Sequence, residues 1–141
     1  FKDKILLNKC LSHLKKNYKI KIIFYGKYKI NFFYSLLAQS KHSVFFSESE
    51  SQGIMYFESW AANVPSLVYN KKKIYTKGLS TLAVPCPYLD ERYNGLGFEN
   101  FNTFKRNIQI LIKQNKNPKK WLTDNYSMKK QTIKLLSQFK N

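Results

Sequence analysis

Acidic residues are scarce in this 141-residue chain: eight Asp and Glu stand against 25 Lys and Arg, a formal charge of +17. Cysteine is scarcer still. Cys10 and Cys86 supply no disulfide framework and no zinc-ligand spacing, so a reduced, intracellular setting is expected. No apolar run approaches the ~20 residues needed to span a bilayer; the longest, such as residues 22–25, are strand-sized. No G-x-G-x-x-G follows a candidate strand, and no P-loop or G-x-S-x-G elbow occurs. These absences count against a dinucleotide fingerprint, a P-loop site and an α/β-hydrolase nucleophile. His13 and His42 stand apart and read as surface or boundary histidines. The chain opens Phe-Lys-Asp-Lys, neither a signal peptide nor a natural start, so a piece of a longer protein is expected.

Hydrophobic residues make up 43% and aromatics 16%, too much for disorder and enough for one domain. The positive charge is almost all lysine: 23 Lys but only Arg92 and Arg106, alongside 13 Asn and 11 Ile. An AT-rich coding bias writes that mixture. Nucleic-acid recognition favours the bidentate fork of Arg, so the charge argues against a nucleic-acid partner. It leaves peripheral contact with an anionic membrane open, and with it a cytoplasmic location at the inner membrane face. From 42 to 70 the bias lapses: this stretch has no Lys or Arg, yet it holds Glu48, Glu50 and Glu58.

Periodicity predicts a helix over 3–16, with Leu7, Cys10, Leu11 and Leu14 as its stripe, and a strand over 20–25 ended by Gly26. A helix follows over 31–40, capped by Asn31 and carrying Phe33, Leu36 and Leu37. Next come a strand over 43–47, a helix over 53–62 with a stripe of Ile54, Phe57 and Ala61, and a strand over 66–69. This alternation predicts an α/β fold, a Rossmann-like three-layer parallel sheet with helices on both faces. Further on, 71–78 reads as a solvated loop, 81–84 as a short fourth strand and 90–100 as a loop. Asn102 caps a helix bearing Phe104, Ile108, Leu111 and Ile112. Residues 118–125 form a connector containing Trp121, and Ser127 caps a last helix at about 126–140 with Met128, Leu135, Leu136 and Phe139. Trp60 and Trp121 read as packing residues.

Chemistry is most concentrated in 47–65, Ser-Glu-Ser-Glu-Ser-Gln-Gly-Ile-Met-Tyr-Phe-Glu-Ser-Trp-Ala-Ala-Asn-Val-Pro. It runs from the carboxyl end of one strand into the next helix, where parallel α/β sheets bind ligands. Gly53 permits close backbone approach, and the helix start favours anions. Glu50 lies in the loop, and Glu58 is about 7.5 Å into the helix. Two carboxylates there suit a ligand rich in hydroxyls, since an ionised carboxylate accepts both donors of a vicinal diol. The plainer alternative makes Glu48 and Glu50 dipole partners and Glu58 a solvated helix residue.

The segment resembles the signature of the group-one (family 4) glycosyltransferases, which have the GT-B fold of two Rossmann domains. Ser47, Glu50, Gly53, Glu58, Ala61, Asn63 and Pro65, followed by Ser-Leu-Val-Tyr, match that pattern, with Glu50 and Glu58 on the two acids of its E-x7-E motif. The stretch Ile-Ile-Phe-Tyr-Gly at 22–26 and Gly-Leu-Gly-Phe at 95–98 resemble flanking parts. Asn63 replaces a usual Gly, the usual Gly-Gly after the next strand is absent, and the Arg and Lys for the pyrophosphate have no match here. The resemblance implies a single Rossmann-like domain over 1–141, the C-terminal, nucleotide-sugar-binding half of a larger two-domain protein, a retaining, metal-independent glycosyltransferase without a cofactor. The half that binds the acceptor would be its missing partner, and this fragment alone would be inactive. It implies that Glu50 is the catalytic-site acid on the transferred sugar and that Glu58 holds the ribose hydroxyls. Gly53 and Ile54 would face sugar or diphosphate, with Ser47 at the strand end. Gly26, Lys27 and Tyr28 would lie near the base. A non-catalytic Rossmann-like binding module is the alternative.

Overall fold

Three short strands, β1 (Ser43–Phe45), β2 (Ser66–Tyr69) and β5 (Gly95–Phe98), form a parallel sheet in the order β1-β2-β5. The computed structural model describes residues 1–47, 53–71, 73–76, 79–82 and 85–138. Among the described residues six helices accompany the sheet: α1 (Lys4–Asn17), α2 (Ile30–Gln39), α3 (Ile54–Ala61), α4 (Phe101–Lys113), α5 (Pro118–Tyr126) and α6 (Met128–Gln138). The chain is therefore α/β with an open parallel sheet, as expected. Strands β3 (Lys73–Thr76) and β4 (Leu79–Leu82) pair antiparallel in a sheet of their own.

Strand alternation sends side chains to two faces. On one, Leu67, Tyr69, Leu96 and Phe98 pack under Leu6, Cys10 and Leu14 of α1 and Phe104, Ile108 and Leu111 of α4. On the other, Val68 and Phe45 meet Tyr56 and Trp60 of α3, with Trp121 and Leu122 of α5 behind them. A third cluster joins Phe33 and Leu37 of α2 to Val64, with Ile23 and Tyr28 against it. Trp60 and Trp121 meet edge to face at 5.4 Å, which bears out the packing role.

Helix α1 begins where Asp3 accepts from Leu6 N at 2.9 Å. Both thiols are buried and unbonded to each other, and burial pushes Cys10 up to about 12. Such a thiol is an inert core group.

Several sequence expectations are corrected. Residues 20–25 form no strand. A strand exists only through its ladder, and this stretch makes none: Ile20 and Ile23 pack inward while Ile22, Phe24 and Tyr25 stay 44%, 65% and 88% exposed. The expected strand over 43–47 stops at Phe45. Helix α2 has Lys29, not Asn31, at its N-cap position. Helix α3 buries Tyr56, Ser59 and Trp60 rather than Ile54, Phe57 and Ala61. Ser59 belongs to a hydroxyl chain with Ser43 (2.8 Å) and, through Ser43, with Ser66 (2.9 Å), so hydropathy alone misplaces the buried face. Residues 73–76 form a strand rather than solvated loop, its partner is Leu79–Leu82, and 83–84 lie outside the described residues.

Residues 95–98 are the third parallel strand rather than loop. A Cβ on Gly95 would stand 2.3 Å from the Ser66 carbonyl, so glycine is there for close strand approach. The outer edge of β5 is closed by side chains: Glu91 Oε1 accepts from Gly97 N at 3.0 Å, and Asn107 Nδ2 donates to Gly97 O at 2.6 Å. Asn100, not Asn102, caps α4, accepting from Asn102 N and Thr103 N, while Thr103 reciprocates. The expected connector at 118–125 is helix α5, with Asn117 as cap and Pro118 in its first turn. Ser127 does accept from Lys130 N at 3.4 Å at the start of α6, but Met128, Leu135 and Leu136 are exposed. Phe139 lies outside the described residues.

Candidate functional site

Ser40, Lys41 and His42 alone separate α2 from β1, so the helix runs back against the strand and its first turn lies toward the carboxyl end of the sheet. The chain leaving β1 returns as α3 from Gly53, at that same end. The starts of α2 and α3 are thereby neighbours through topology.

Gly53 is the N-cap of α3, in the left-handed region at φ 64°. A Cβ there would meet Tyr56 Cδ2 at 2.7 Å, so both backbone and space demand glycine. It offers the first-turn amides no capping side chain. Ile54, the first helical residue, is 60% exposed. One turn on, Glu58 is partly buried, and its Oε1 accepts a 2.8 Å hydrogen bond from the Tyr34 hydroxyl of α2. That bond pushes the Tyr34 phenol above its ordinary range, because ionisation would set two anions together. An open groove of about 510 Å³ follows, lined by Tyr34, Leu37, Ala38, Glu58, Ala61 and Ala62.

Tyr28 comes to the same place from 26–29. Its ring packs on Phe33 at 5.4 Å. Burial raises its phenol pKa first, and the nearby Glu58 carboxylate raises it further. Gly26, at φ 73°, turns the chain, with Lys27 N donating to Phe24 O at 3.0 Å; Lys27 is exposed.

Of the residues selected from sequence, Glu58 and Tyr28 are brought together, with Gly26 and Lys27 on the turn beside Tyr28 and Gly53 and Ile54 at the helix start. Ser47 ends the described stretch after β1. Glu50 lies outside the described residues, as do Glu48, Ser49 and Ser51. Tyr34 was not among those candidates: it is 24 positions from Glu58, and no sequence spacing joins the two. Asn63, in place of a usual glycine, does adopt positive φ, at 60°. His42 is an ordinary half-buried histidine bonded to the Leu111 carbonyl, with burial lowering its pKa.

The arrangement is acceptor-rich. A carboxylate already fixed by one phenol has lone pairs left for a diol, and aromatic rings flank it. Among the described residues no group of three His, Cys, Asp or Glu stands together as a metal site, and no helix is long and apolar enough to cross a membrane. No protein-family model, curated protein or solved structure matches the chain.

Proposed function

We propose that this chain is the donor-binding half of a retaining, metal-independent glycosyltransferase of the GT-B type, holding a nucleoside-diphosphate sugar for transfer to an acceptor bound by a second domain. The observation that carries the reading is the Glu58 carboxylate. It is anchored by Tyr34 at 2.8 Å and neighboured by Tyr28 where two helices begin at the carboxyl end of a parallel sheet. In this reading the free lone pairs of Glu58 accept the ribose diol, the Tyr28 face supports the base, and the start of α3 at Gly53 and Ile54 meets the diphosphate. Lys27 offsets phosphate charge, Ser47 lies at the strand end, and Glu50 takes the sugar. A cytoplasmic protein working at the inner membrane face fits this role.

The groove is one wall. Proximity and water exclusion need the other, so the chain alone binds nucleotide weakly, at about 0.1–1 mM, and transfers nothing. A thermal-shift screen of uridine, guanosine and adenosine diphosphates and their sugars tests this, because bound ligand raises the melting temperature by mass action. One diphosphate should stabilise the chain. Glu50→Gln should spare the bare diphosphate and abolish the added effect of the sugar, whereas Glu58→Gln should weaken both. No shift with any of the three bases rejects the proposal. A non-catalytic module would bind diphosphate yet show no sugar-dependent increment.

A further inference from the structure

Residues 19–33 divide their side chains sharply. Ile23, Tyr28 and Phe33 turn inward to the α2 cluster. Ile22, Phe24, Tyr25, Ile30 and Phe32 face solvent, Phe24 at 65% and Tyr25 at 88% exposed. The tip is a tight turn, closed by Lys27 N donating to Phe24 O at 3.0 Å, with Gly26 at φ 73°. The turn thus holds two aromatics outward on a fixed backbone. Lys19, Lys21, Lys27 and Lys29 are all exposed around them. From 4 to 47 the chain has nine lysines and no acid, and Glu58, beside Tyr28, offsets only part of this charge.

We infer that this turn docks the protein on an anionic phospholipid surface, with Phe24 and Tyr25 entering the headgroup boundary and Lys19, Lys21 and Lys29 pairing with lipid phosphates. Charge complementarity selects this occupant. A protein partner would have to present matching acids around an apolar socket, whereas an anionic bilayer supplies both over its whole surface. Lysine stems can lie along the apolar boundary while their ammonium groups reach phosphate, and tyrosine, with an apolar ring and a polar tip, suits the depth where headgroups meet acyl chains. The inference stands on residues other than Glu58 and Tyr34 and does not depend on nucleotide binding.

The test is co-sedimentation of the purified chain with vesicles of phosphatidylcholine alone, or of phosphatidylcholine with about one third phosphatidylglycerol, over a salt series. Binding should appear only with phosphatidylglycerol and fall with salt. Lys19→Gln, Lys21→Gln and Lys29→Gln combined should weaken it on the order of 100-fold, at roughly 5-fold per lysine. Phe24→Ser with Tyr25→Ser should weaken it roughly 10- to 100-fold. Tyr25→Ser alone removes almost no buried surface, so it separates docking from folding and should weaken binding several-fold. A set distal in sequence, Lys113→Gln of α4 with Lys129→Gln and Lys134→Gln of α6, should leave binding within about 3-fold if site rather than net charge decides. Absence of binding to anionic vesicles would overturn the inference. So would an equal loss in the distal set, loss through Leu135→Ser and Leu136→Ser of α6 with the turn variants unaffected, or tighter retention on single-stranded DNA through the same lysines.

Discussion

Gly95→Ala and Gly97→Ala differ by two positions on one strand and should differ by several kcal/mol. At Gly95 an added methyl would lie 2.3 Å from the Ser66 carbonyl oxygen, 3.2 Å from its carbon and 2.9 Å from Leu89 Cδ1. Real Cβ atoms essentially never come within 3.0 Å, so β5 must retreat from β2 by about 0.7 Å. Leu89 is a flexible side chain and can yield; the carbonyl belongs to a fully buried residue in the sheet and cannot. The retreat stretches the bond from Ser66 N to Asn94 O, now 3.1 Å, beyond useful range. Overpacking costs about 1–3 kcal/mol and the unmade buried backbone bond about 1–3 more. Reduced freedom of the unfolded chain returns about 0.4–1. The net loss is about 2–5 kcal/mol from a domain of this size holding roughly 7–20. At Gly97 the nearest atoms are Asn70 Cβ and Glu91 Oε1, both at 3.4 Å, so the methyl fits and the change should lie within about 0.5 kcal/mol of neutral. Urea unfolding monitored by Trp fluorescence measures both, with the Gly95→Ala midpoint falling by about 1–3 M. Equal midpoints for the two variants would refute the close-approach account of Gly95.

Glu58→Gln should weaken a bound nucleoside diphosphate by about 1.5–3 kcal/mol, roughly 10–150-fold, by calorimetry. Tyr34→Phe should weaken it less, because the carboxylate loses its anchor but keeps its charge; in ultraviolet titration, Glu58→Gln should also bring the Tyr34 phenol back toward its ordinary range and lower that of Tyr28, which burial still holds up. Trp60→Ala, at a fully buried ring whose Nε1 donates to Ser66 Oγ at 3.1 Å, should cost about 3–5 kcal/mol in urea unfolding. Lys116 is buried, and its ammonium donates to the Glu91 carbonyl; burial lowers its pKa against the opposing pull of Glu91 and Asp90. The unfolded chain then binds more protons between the lowered value and the ordinary one. Lys116's contribution therefore penalises folding below that window and is relieved as pH rises through it. Lys116→Met should remove this part of the slope just below the ordinary lysine range, read as the difference from the unsubstituted chain so that tyrosine titration cancels.

What the sequence made legible was the strand–helix–strand unit and the place of Glu58 on its helix. Residues 66–69 are buried from end to end, with Leu67, Val68 and Tyr69 supplying apolar side chains to both faces as a central strand requires, and they are β2. Hydropathy failed where polar or unusual residues sit inside for geometric reasons. Ser59 and Ser66 are fully buried because hydroxyls satisfy one another across α3, β1 and β2. Gly95 and Gly97 read as loop, yet the first is in the sheet because nothing larger than hydrogen fits. Asn117-Pro118 is a helix start by its chemistry, but a short amphipathic segment behind it gave too weak a period to register.

The site divides along the same line. Glu58, Gly53 and Asn63 were legible because local chemistry fixes them: an acid one turn into a helix, and two positions at positive φ flanking that helix. Tyr34 was not, because its role arises only when α2 packs beside α3. That packing is set by Phe33, Leu37 and Val64, which carry no polar group that sequence reading could have singled out. The same division bears on residues 20–25. Their β-branched and aromatic composition signals a strand, but composition counts only when a ladder forms, and the β1 edge here is three residues long. With Ile20 and Ile23 packed into two separate clusters and Phe24 and Tyr25 held outward by the Gly26 turn, the segment leaves its remaining apolar surface exposed instead of burying it in the sheet.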